Sequence, residues 1–219
     1  MHPLIHSERV ALGPLGRPGL LELPEVVAGL VVFVNLPQMD RQAAMDRQMA
    51  DVLHRHDFGT LLLEGVPNPE VADMDLLGAR VGQALCWFER QESLAAVPVG
   101  LLGSRAGGAA ALIAAGTYPR RIAATVCCGA CLGPAAQSLD RVLAPTLLVV
   151  AEADDEVLRH NGAALRAMVC KKRLEVIPRA TWLFEEPGAW VSVSEYASEW
   201  FCNHLGPVQH ANFPVLRAR

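Results

Sequence analysis

The chain has 219 residues, of which 52% are hydrophobic and 19% are charged, and its formal net charge is -4. This length suits one large α/β domain with a full hydrophobic core, and the slightly acidic balance argues against a nucleic-acid partner. No apolar run reaches the ~18 residues of a membrane span, and the start lacks the basic and apolar regions of a secretory signal, so we expect a cytoplasmic protein with no membrane partner.

Strand-like and helix-like segments alternate along the chain. The segment before Glu25 is broken by glycines and prolines and predicts an antiparallel edge hairpin. Helix-patterned segments follow, one after Asp40 as its N-cap and the last from about 192 to 204. Together they predict a doubly wound, mostly parallel sheet with helices on both faces. The apolar runs that we expect to be strands are 30–34, 60–63, 97–102, 122–127, 146–150 and 173–177.

Composition also predicts how the chain is organised. We expect residues 1–205 to form a single domain without a large lid domain, because no linker and no internal repeat interrupts the alternation. The tail 206–219 contains two prolines and no periodic pattern. It is expected to be loosely ordered or to act as a contact arm.

A glycine-flanked turn follows the third of these predicted strands. Gly103-Ser104-Arg105-Ala106-Gly107 connects the strand 97–102 to an alanine-rich helix. This is the arrangement of the nucleophile elbow, G-x-S-x-G, in which the central residue lies on a strained strand-to-helix turn. Here the centre is Arg105, and a guanidinium cannot act as a nucleophile. The motif predicts the frame of a hydrolase without its nucleophile.

The elbow and the segments 144–150 and 172–189 resemble the dienelactone hydrolase branch of the α/β-hydrolase superfamily. The resemblance runs over roughly residues 31–205. It implies an α/β-hydrolase fold whose catalytic groups lie in loops at the carboxyl ends of the strands, in the chain order nucleophile, acid, histidine.

Transferred residue by residue, the resemblance implies a degenerate triad. Arg105 takes the place of the nucleophile, Asp154 matches the acid, and Trp182 takes the place of the histidine. An indole N–H only donates hydrogen bonds and cannot serve as a general base. The loop that supplies an oxyanion donor in relatives begins here with Asn35, and its Pro37 has no backbone N–H.

An intact framework with a lost mechanism favours a non-catalytic, partner-binding scaffold or accessory subunit, whose neighbour is another protein or a copy of the chain. One alternative is a pocket for a small anionic metabolite centred on Arg105, with Ala106, Asn35 and Trp182 as further ligand-binding residues. Others are an enzyme with non-hydrolytic chemistry in the old pocket and a residual ester hydrolase that uses Ser104.

The two substituted triad residues each have a purely structural interpretation. Arg105 could pair with Asp154 and so plug the old pocket, an interpretation that we favour over the anion site. Trp182 either stacks on the Arg105 guanidinium in a cation–π contact or fills the space that a catalytic group has left, and we favour the second.

A cysteine cluster follows the predicted strand 122–127. Cys128 and Cys131 form a C-x-x-C, which is a weak candidate for a redox pair or half of a zinc site. No second pair at metal spacing is present, so we expect reduced structural cysteines, no metal and no cofactor. Of the histidines, His54 and His56 stand at a predicted helix end, where cationic side chains suit the helix dipole.

Overall fold

The structure is a computed structural model that describes residues 4–34, 39–64 and 74–205. Two predictions fall on other residues and lie outside the described part of the chain: the tail 206–219 and the ligand-binding role of Asn35.

Strands and helices alternate as the sequence predicts. A 3-10 helix, Gly133–Arg141, precedes the strand Thr146–Ala151. The elements in chain order are β1 Ile5–Leu12, β2 Arg17–Pro24, β3 Gly29–Phe33, α1 Met39–His54, β4 Phe58–Leu63, α2 Met74–Glu89, β5 Val99–Ser104, α3 Ala106–Thr117, β6 Ile122–Cys128, β7 Thr146–Ala151, α4 Asp155–Ala167, β8 Lys172–Ile177 and α5 Ala189–His204.

The strands of the described residues form one eight-stranded sheet in the order β1-β2-β4-β3-β5-β6-β7-β8. From β4 to β8 neighbouring strands are parallel, whereas β1 pairs antiparallel with β2 and β2 with β4. The predicted edge hairpin and the predicted α/β-hydrolase fold are both confirmed. Because the parallel strands share one direction, β3, β4, β5, β6, β7 and β8 all end at the same edge of the sheet, which we call the carboxyl rim.

Both faces of the sheet are covered, which explains the continuous apolar runs of the strands. One hydrophobic cluster packs Leu30, Val32 and Leu101 against helices α2 and α3. The other packs Val31 and Phe33 on the opposite face, against α1 and α5. Successive residues of a strand point to opposite faces, so each strand of the centre contributes to both clusters.

Element boundaries differ from the predictions by a few residues. Helix α1 begins at Met39, so Asp40 is not its N-cap. Helix α5 begins at Ala189, earlier than predicted, because Gly188 adopts a left-handed φ of 84° at its N-cap. None of the described helices is long and apolar enough to cross a membrane.

His54 shows that a helix end does not by itself make a histidine cationic. Its side chain is buried at the end of α1, and its Nε2 lies 3.0 Å from Thr60 Oγ1. Burial lowers the pKa of His54 below its ordinary value, against a smaller opposing effect of Glu22. Burial therefore opposes a positive charge on His54, although the residue lies at the end of a helix.

Candidate functional site

The elbow has the geometry that its sequence predicts. Strand β5 ends at Ser104, α3 begins at Ala106, and Arg105 stands between them with φ 55° and ψ -121°. Its amide donates to the carbonyl of Cys128 at 2.9 Å, and its own carbonyl accepts from Gly108 at 3.1 Å. A non-glycine residue in such a conformation costs on the order of 1–3 kcal/mol and persists only where its surroundings hold it. The turn holds the side chain of Arg105 at the carboxyl rim.

Two glycines are required because neighbouring backbone and side-chain atoms approach closely at the elbow. A Cβ on Gly103 would lie 2.3 Å from the carbonyl oxygen of Gly107, and a Cβ on Gly108 would lie 2.4 Å from Cβ of Ala130. Neither contact has room for a methyl group. The glycine at each position therefore follows from the packing of the turn, whatever residue stands at its tip.

The guanidinium of Arg105 stacks on Trp182. Its central carbon lies 4.2 Å from the centroid of the indole ring, within the range of a cation–π contact. Partial burial lowers the pKa of Arg105 from its ordinary value, but an arginine stays charged at neutral pH. Trp182 is 50% exposed, so it lies over the guanidinium at the surface and does not fill a closed space.

Asp154 does not pair with Arg105. It is the N-cap of α4, and its Oδ1 accepts a hydrogen bond from the backbone N–H of Val157 at 3.1 Å. Of the ion pairs between described residues, none joins these two side chains. The interpretation that Arg105 plugs the pocket by pairing with Asp154 is therefore wrong.

The loop after β8 carries Trp182 and is fixed at several points. The carbonyl of Ala180 accepts from the amide of Ala153 at 3.0 Å, and Glu186 Oε1 accepts from the amide of Thr181 at 3.0 Å. Phe184, with φ 52°, is buried, and its ring centroid lies 6.2 Å from that of Trp190. These contacts connect the loop to β7 and α5, so Trp182 stands on a supported segment.

Ser104 is one position before the tip of the elbow. It is the last residue of β5, pairs with Cys128 in the sheet, and is only 9% exposed. Its hydroxyl oxygen is buried. A hydroxyl inside the strand is not presented at the rim as the side chain of Arg105 is.

The cysteine cluster is divided between the core and the surface. Cys127 and Cys128 are buried, whereas Cys131 is exposed, and all three are free thiols. Burial raises the pKa of Cys128 to about 12 and that of Cys127 well above its ordinary value. Among the described residues, no three His, Cys, Asp or Glu side chains are grouped to hold a metal ion.

Asn161 is a supporting residue that the sequence analysis missed. It is fully buried in α4, and its Nδ2 donates to the carbonyl of Ala130 at 2.7 Å and to that of Val157 at 2.8 Å. Ala130 in turn packs against Gly108 of the elbow. The available signal was the position of Asn161 three residues before Ala164, on the one side of α4 that is buried.

Comparison with known proteins identifies the family, although a scan against protein-family models finds no match. A dienelactone hydrolase from Anabaena variabilis is 34% identical, with a TM-score of 0.86 over 94% of this chain and 100% of that one. Est1E from Butyrivibrio proteoclasticus, at 12% identity and a TM-score of 0.73 over 90% of this chain and 98% of that one, shares the fold.

Proteins from two strains of Mycobacterium tuberculosis, which carry the provisional name phosphoribosyl transferase, are 38% identical over 213 residues. That match covers 94% of this chain and 48% of each relative, so the chain spans about half the length of the curated relatives it matches. The relative from Anabaena variabilis, by contrast, is matched over its whole length. By its fold and by that likeness, this chain belongs to the dienelactone hydrolase family.

Proposed function

We propose that this member of the family has lost serine-type hydrolysis and that its carboxyl rim binds a small anion, a carboxylate or a phosphate, at Arg105. The observation that carries the proposal is the guanidinium of Arg105, held at the tip of an intact elbow and stacked on Trp182 at 4.2 Å. A guanidinium has no lone pair for attack on a carbonyl carbon, but it has up to five N–H donors for an anion.

The residue beside Arg105 supports the loss of hydrolysis. Trp182 occupies the position beside Arg105 where a general base would be needed, and an indole cannot accept a proton near neutral pH. The described histidines lie in other elements: His6 in β1, His54 at the end of α1, His56 between α1 and β4, His160 within α4 and His204 at the end of α5. Loss of a triad serine or histidine alone lowers turnover about a million-fold in a well-studied protease.

Two features of the rim favour an anion. Arg105 precedes the first turn of α3, which contains no acidic residue and receives no side-chain cap. The free N–H groups of a helix start, with Ala106 the first of them, attract negative charge. Stacking on the flat face of Trp182 leaves the N–H groups at the edge of the guanidinium to make a two-pronged contact with an oxyanion.

Three described carboxylates of the same rim accept hydrogen bonds from backbone amides. Asp154 accepts from the amide of Val157, Glu152 from that of Arg179 at 2.6 Å, and Glu186 from that of Thr181. No ion pair between described residues includes Arg105. A ligand would therefore supply the counter-charge that this rim does not give to its guanidinium.

The test is a thermal-shift titration with phosphate, short carboxylates, acyl compounds and ribose 5-phosphate, the last because of the name carried by the Mycobacterium relatives. We expect at least one compound to raise the Tm of the wild-type protein and of an Arg120→Ala control, and not that of Arg105→Ala. Arg120 is an exposed arginine beyond the far end of α3. A shift of equal size in Arg105→Ala, or none across the panel, would reject the anion site.

The hydrolytic alternative has its own test. We expect no labelling by a fluorophosphonate and no turnover of p-nitrophenyl esters. Labelling or turnover that is lost in Ser104→Ala would establish a residual ester hydrolase and overturn the first half of the proposal. Conversion of a bound compound to a new product without labelling would instead indicate non-hydrolytic chemistry in the old pocket.

A second candidate is an accessory domain for a transferase, and one observation favours it. The Mycobacterium relatives are about twice the length of the match and carry a transferase name, whereas the part they share with this chain has the fold of a hydrolase. We propose that the transferase chemistry belongs to the other half of those proteins. Co-purification of this chain with a phosphoribosyl transferase from its host would support the accessory role, and a protein that purifies only alone would count against it.

A further inference from the structure

A second arginine is buried far from the elbow. Arg80 lies in α2 and is only 4% exposed. Its Nη2 donates to the carbonyl of Pro18, at the start of β2, at 3.1 Å. The nitrogens Nε and Nη1 are also buried, and neither has a hydrogen-bond acceptor among the described residues.

No ion pair between described residues includes Arg80. The carbonyl of Pro18 also accepts from the amide of Glu64 at 3.1 Å, so both of its lone pairs are in use. The carboxylate of Glu64 instead lies 3.5 Å from Nη2 of Arg9. Burial lowers the pKa of Arg80, and the positive charge of Arg17 lowers it further.

A buried charge without a partner is strongly destabilising, because the interior does not replace the water that solvated it. A neutral group one turn along the helix has the same defect. Gln83 stands three residues after Arg80, and its Oε1 is buried without a donor. If the side-chain amide of Gln83 is flipped by about 180°, its NH2 group takes the place of the unpaired oxygen and offers two N–H donors. Arginine and amide donors in one place are the donor set of an anion site.

We propose that Arg80 binds a small inorganic anion, a halide or an oxyanion, between α2 and the turn that connects β1 to β2. Gln83 forms the second wall, since it lies against Gly13 of that turn: a Cβ on Gly13 would meet the Gln83 side chain at 2.6 Å. The positive charge of Arg17 adds to the attraction. The bound anion neutralises the buried guanidinium and so joins the edge hairpin to α2.

This site is separate from Arg105. The strand order β2-β4-β3-β5 places three strand spacings, about 14 Å, between the start of β2 and the end of β5. The proposal therefore stands or falls independently of the proposed function.

The experiment compares thermal unfolding of the wild-type protein in sodium gluconate with unfolding in chloride and in phosphate, at constant ionic strength. Gluconate is too bulky for a closed site, so it serves as the anion-free reference. For a chain of this size we expect Tm to rise by about 3–6 °C at an anion concentration roughly ten times Kd. Because phosphate and carboxylates are also candidate ligands of Arg105, the comparison is repeated in the Arg105→Ala background. Arg105→Ala should show this rise relative to its own Tm in gluconate, and Arg105→Ala combined with Arg80→Met should lose it.

The sign of the stability change in Arg80→Met gives the second readout. A methionine fits the stem of an arginine without its charge, so it removes an unpaired buried cation when no anion is bound. In gluconate the variant should be as stable as the wild type or more so, and in chloride or phosphate it should be less stable. If Arg80→Met does not fold, bromide-soaked crystals of the wild type give the answer through an anomalous peak within 3.5 Å of the guanidinium.

A rise in Tm with chloride only, or with phosphate only, would identify which anion the site takes. Equal Tm values in all three salts, or an equal rise in the wild type and Arg80→Met, would overturn the proposal. If the rise occurs with chloride, bromide-soaked crystals without an anomalous peak at Arg80 would also overturn it.

Discussion

The contact between Arg105 and Trp182 predicts a measurable coupling of their contributions to stability. Cation–π contacts contribute about 0.5–1 kcal/mol at exposed sites and about 2 kcal/mol when desolvated. Here the guanidinium carbon lies 4.2 Å from the ring centroid and Trp182 is 50% exposed, which places the pair between those limits. We therefore expect a coupling free energy of about 1 kcal/mol.

The assay is a double-mutant cycle in urea with the wild type, Arg105→Ala, Trp182→Ala and the double variant. With a denaturant slope of about 3 kcal/mol per molar urea, a coupling of about 1 kcal/mol separates the double variant from the sum of the single changes by about 0.3 M in midpoint. Arg105→Lys keeps the charge but loses the planar group, so it should recover only part of the coupling.

Arg173 and Tyr196 provide a comparison within the same chain. Their contact is longer, with 5.7 Å from the guanidinium carbon to the ring centroid, and the same cycle on that pair should give a smaller coupling. A value below about 0.3 kcal/mol for Arg105 and Trp182, which is within the error of simple additivity, would refute the stacked arrangement. The orientation of Arg105 on which the proposed anion site depends would be refuted with it.

Three further predictions concern the elbow, a buried histidine and the thiols. Gly103→Ala should be strongly destabilised, because its Cβ would lie 2.3 Å from a backbone oxygen. Gly133→Ala has nothing within 4 Å of its Cβ and should unfold as the wild type does. Equal urea midpoints for the two variants would contradict the packing of the turn. Because the pKa of His54 is lowered in the folded protein, the neutral imidazole contributes stability above its unfolded pKa of 6.5, and this stability is lost as pH falls through the folded pKa. The free energy of unfolding should therefore decrease on acidification below pH 6.5, and it should decrease less steeply in His54→Asn. Equal slopes in the two proteins would count against a buried neutral imidazole. Burial raises the pKa of Cys128 to about 12, so the free energy of unfolding should decrease as pH rises above 9. In the native protein at pH 8, iodoacetamide should alkylate Cys131 and not Cys127 or Cys128, which peptide mass spectrometry can check.

The sheet could be predicted from the sequence because its strands are buried on both faces. A continuous apolar run of about five residues, such as 30–34 or 146–150, predicts a strand buried on both faces when helix-patterned segments separate such runs. The edge hairpin was visible because Gly13, Pro14 and Gly16 interrupt the chain where it turns. Element ends were less certain: the start of α5 depends on a left-handed glycine, Gly188, whose conformation a sequence does not specify.

At the candidate site, the sequence identified the residues but not all of their partners. The glycines and Arg105 are adjacent in the chain, so the elbow could be recognised as one local motif. The partners of Arg105 and Trp182 depend on loops that are distant in sequence. The favoured pairing of Arg105 with Asp154 was wrong, and Trp182 stacks on Arg105 where it was expected to fill a vacated space. Arg80 gave no signal at all, because only the packed structure shows that this residue of α2 is buried and that two of its nitrogens have no hydrogen-bond acceptor among the described residues.

The close contacts at Gly103 and Gly108 fix the backbone of the elbow independently of the side chain at its tip. Any side chain at position 105 would be displayed at the same spot and in the same direction. Replacing Arg105 with serine and Trp182 with histidine would therefore place a hydroxyl and an imidazole on the existing backbone of the elbow and of the loop after β8. The distance between this chain and a working esterase is then a question of two side chains and the loops around them, with no need to rebuild the scaffold.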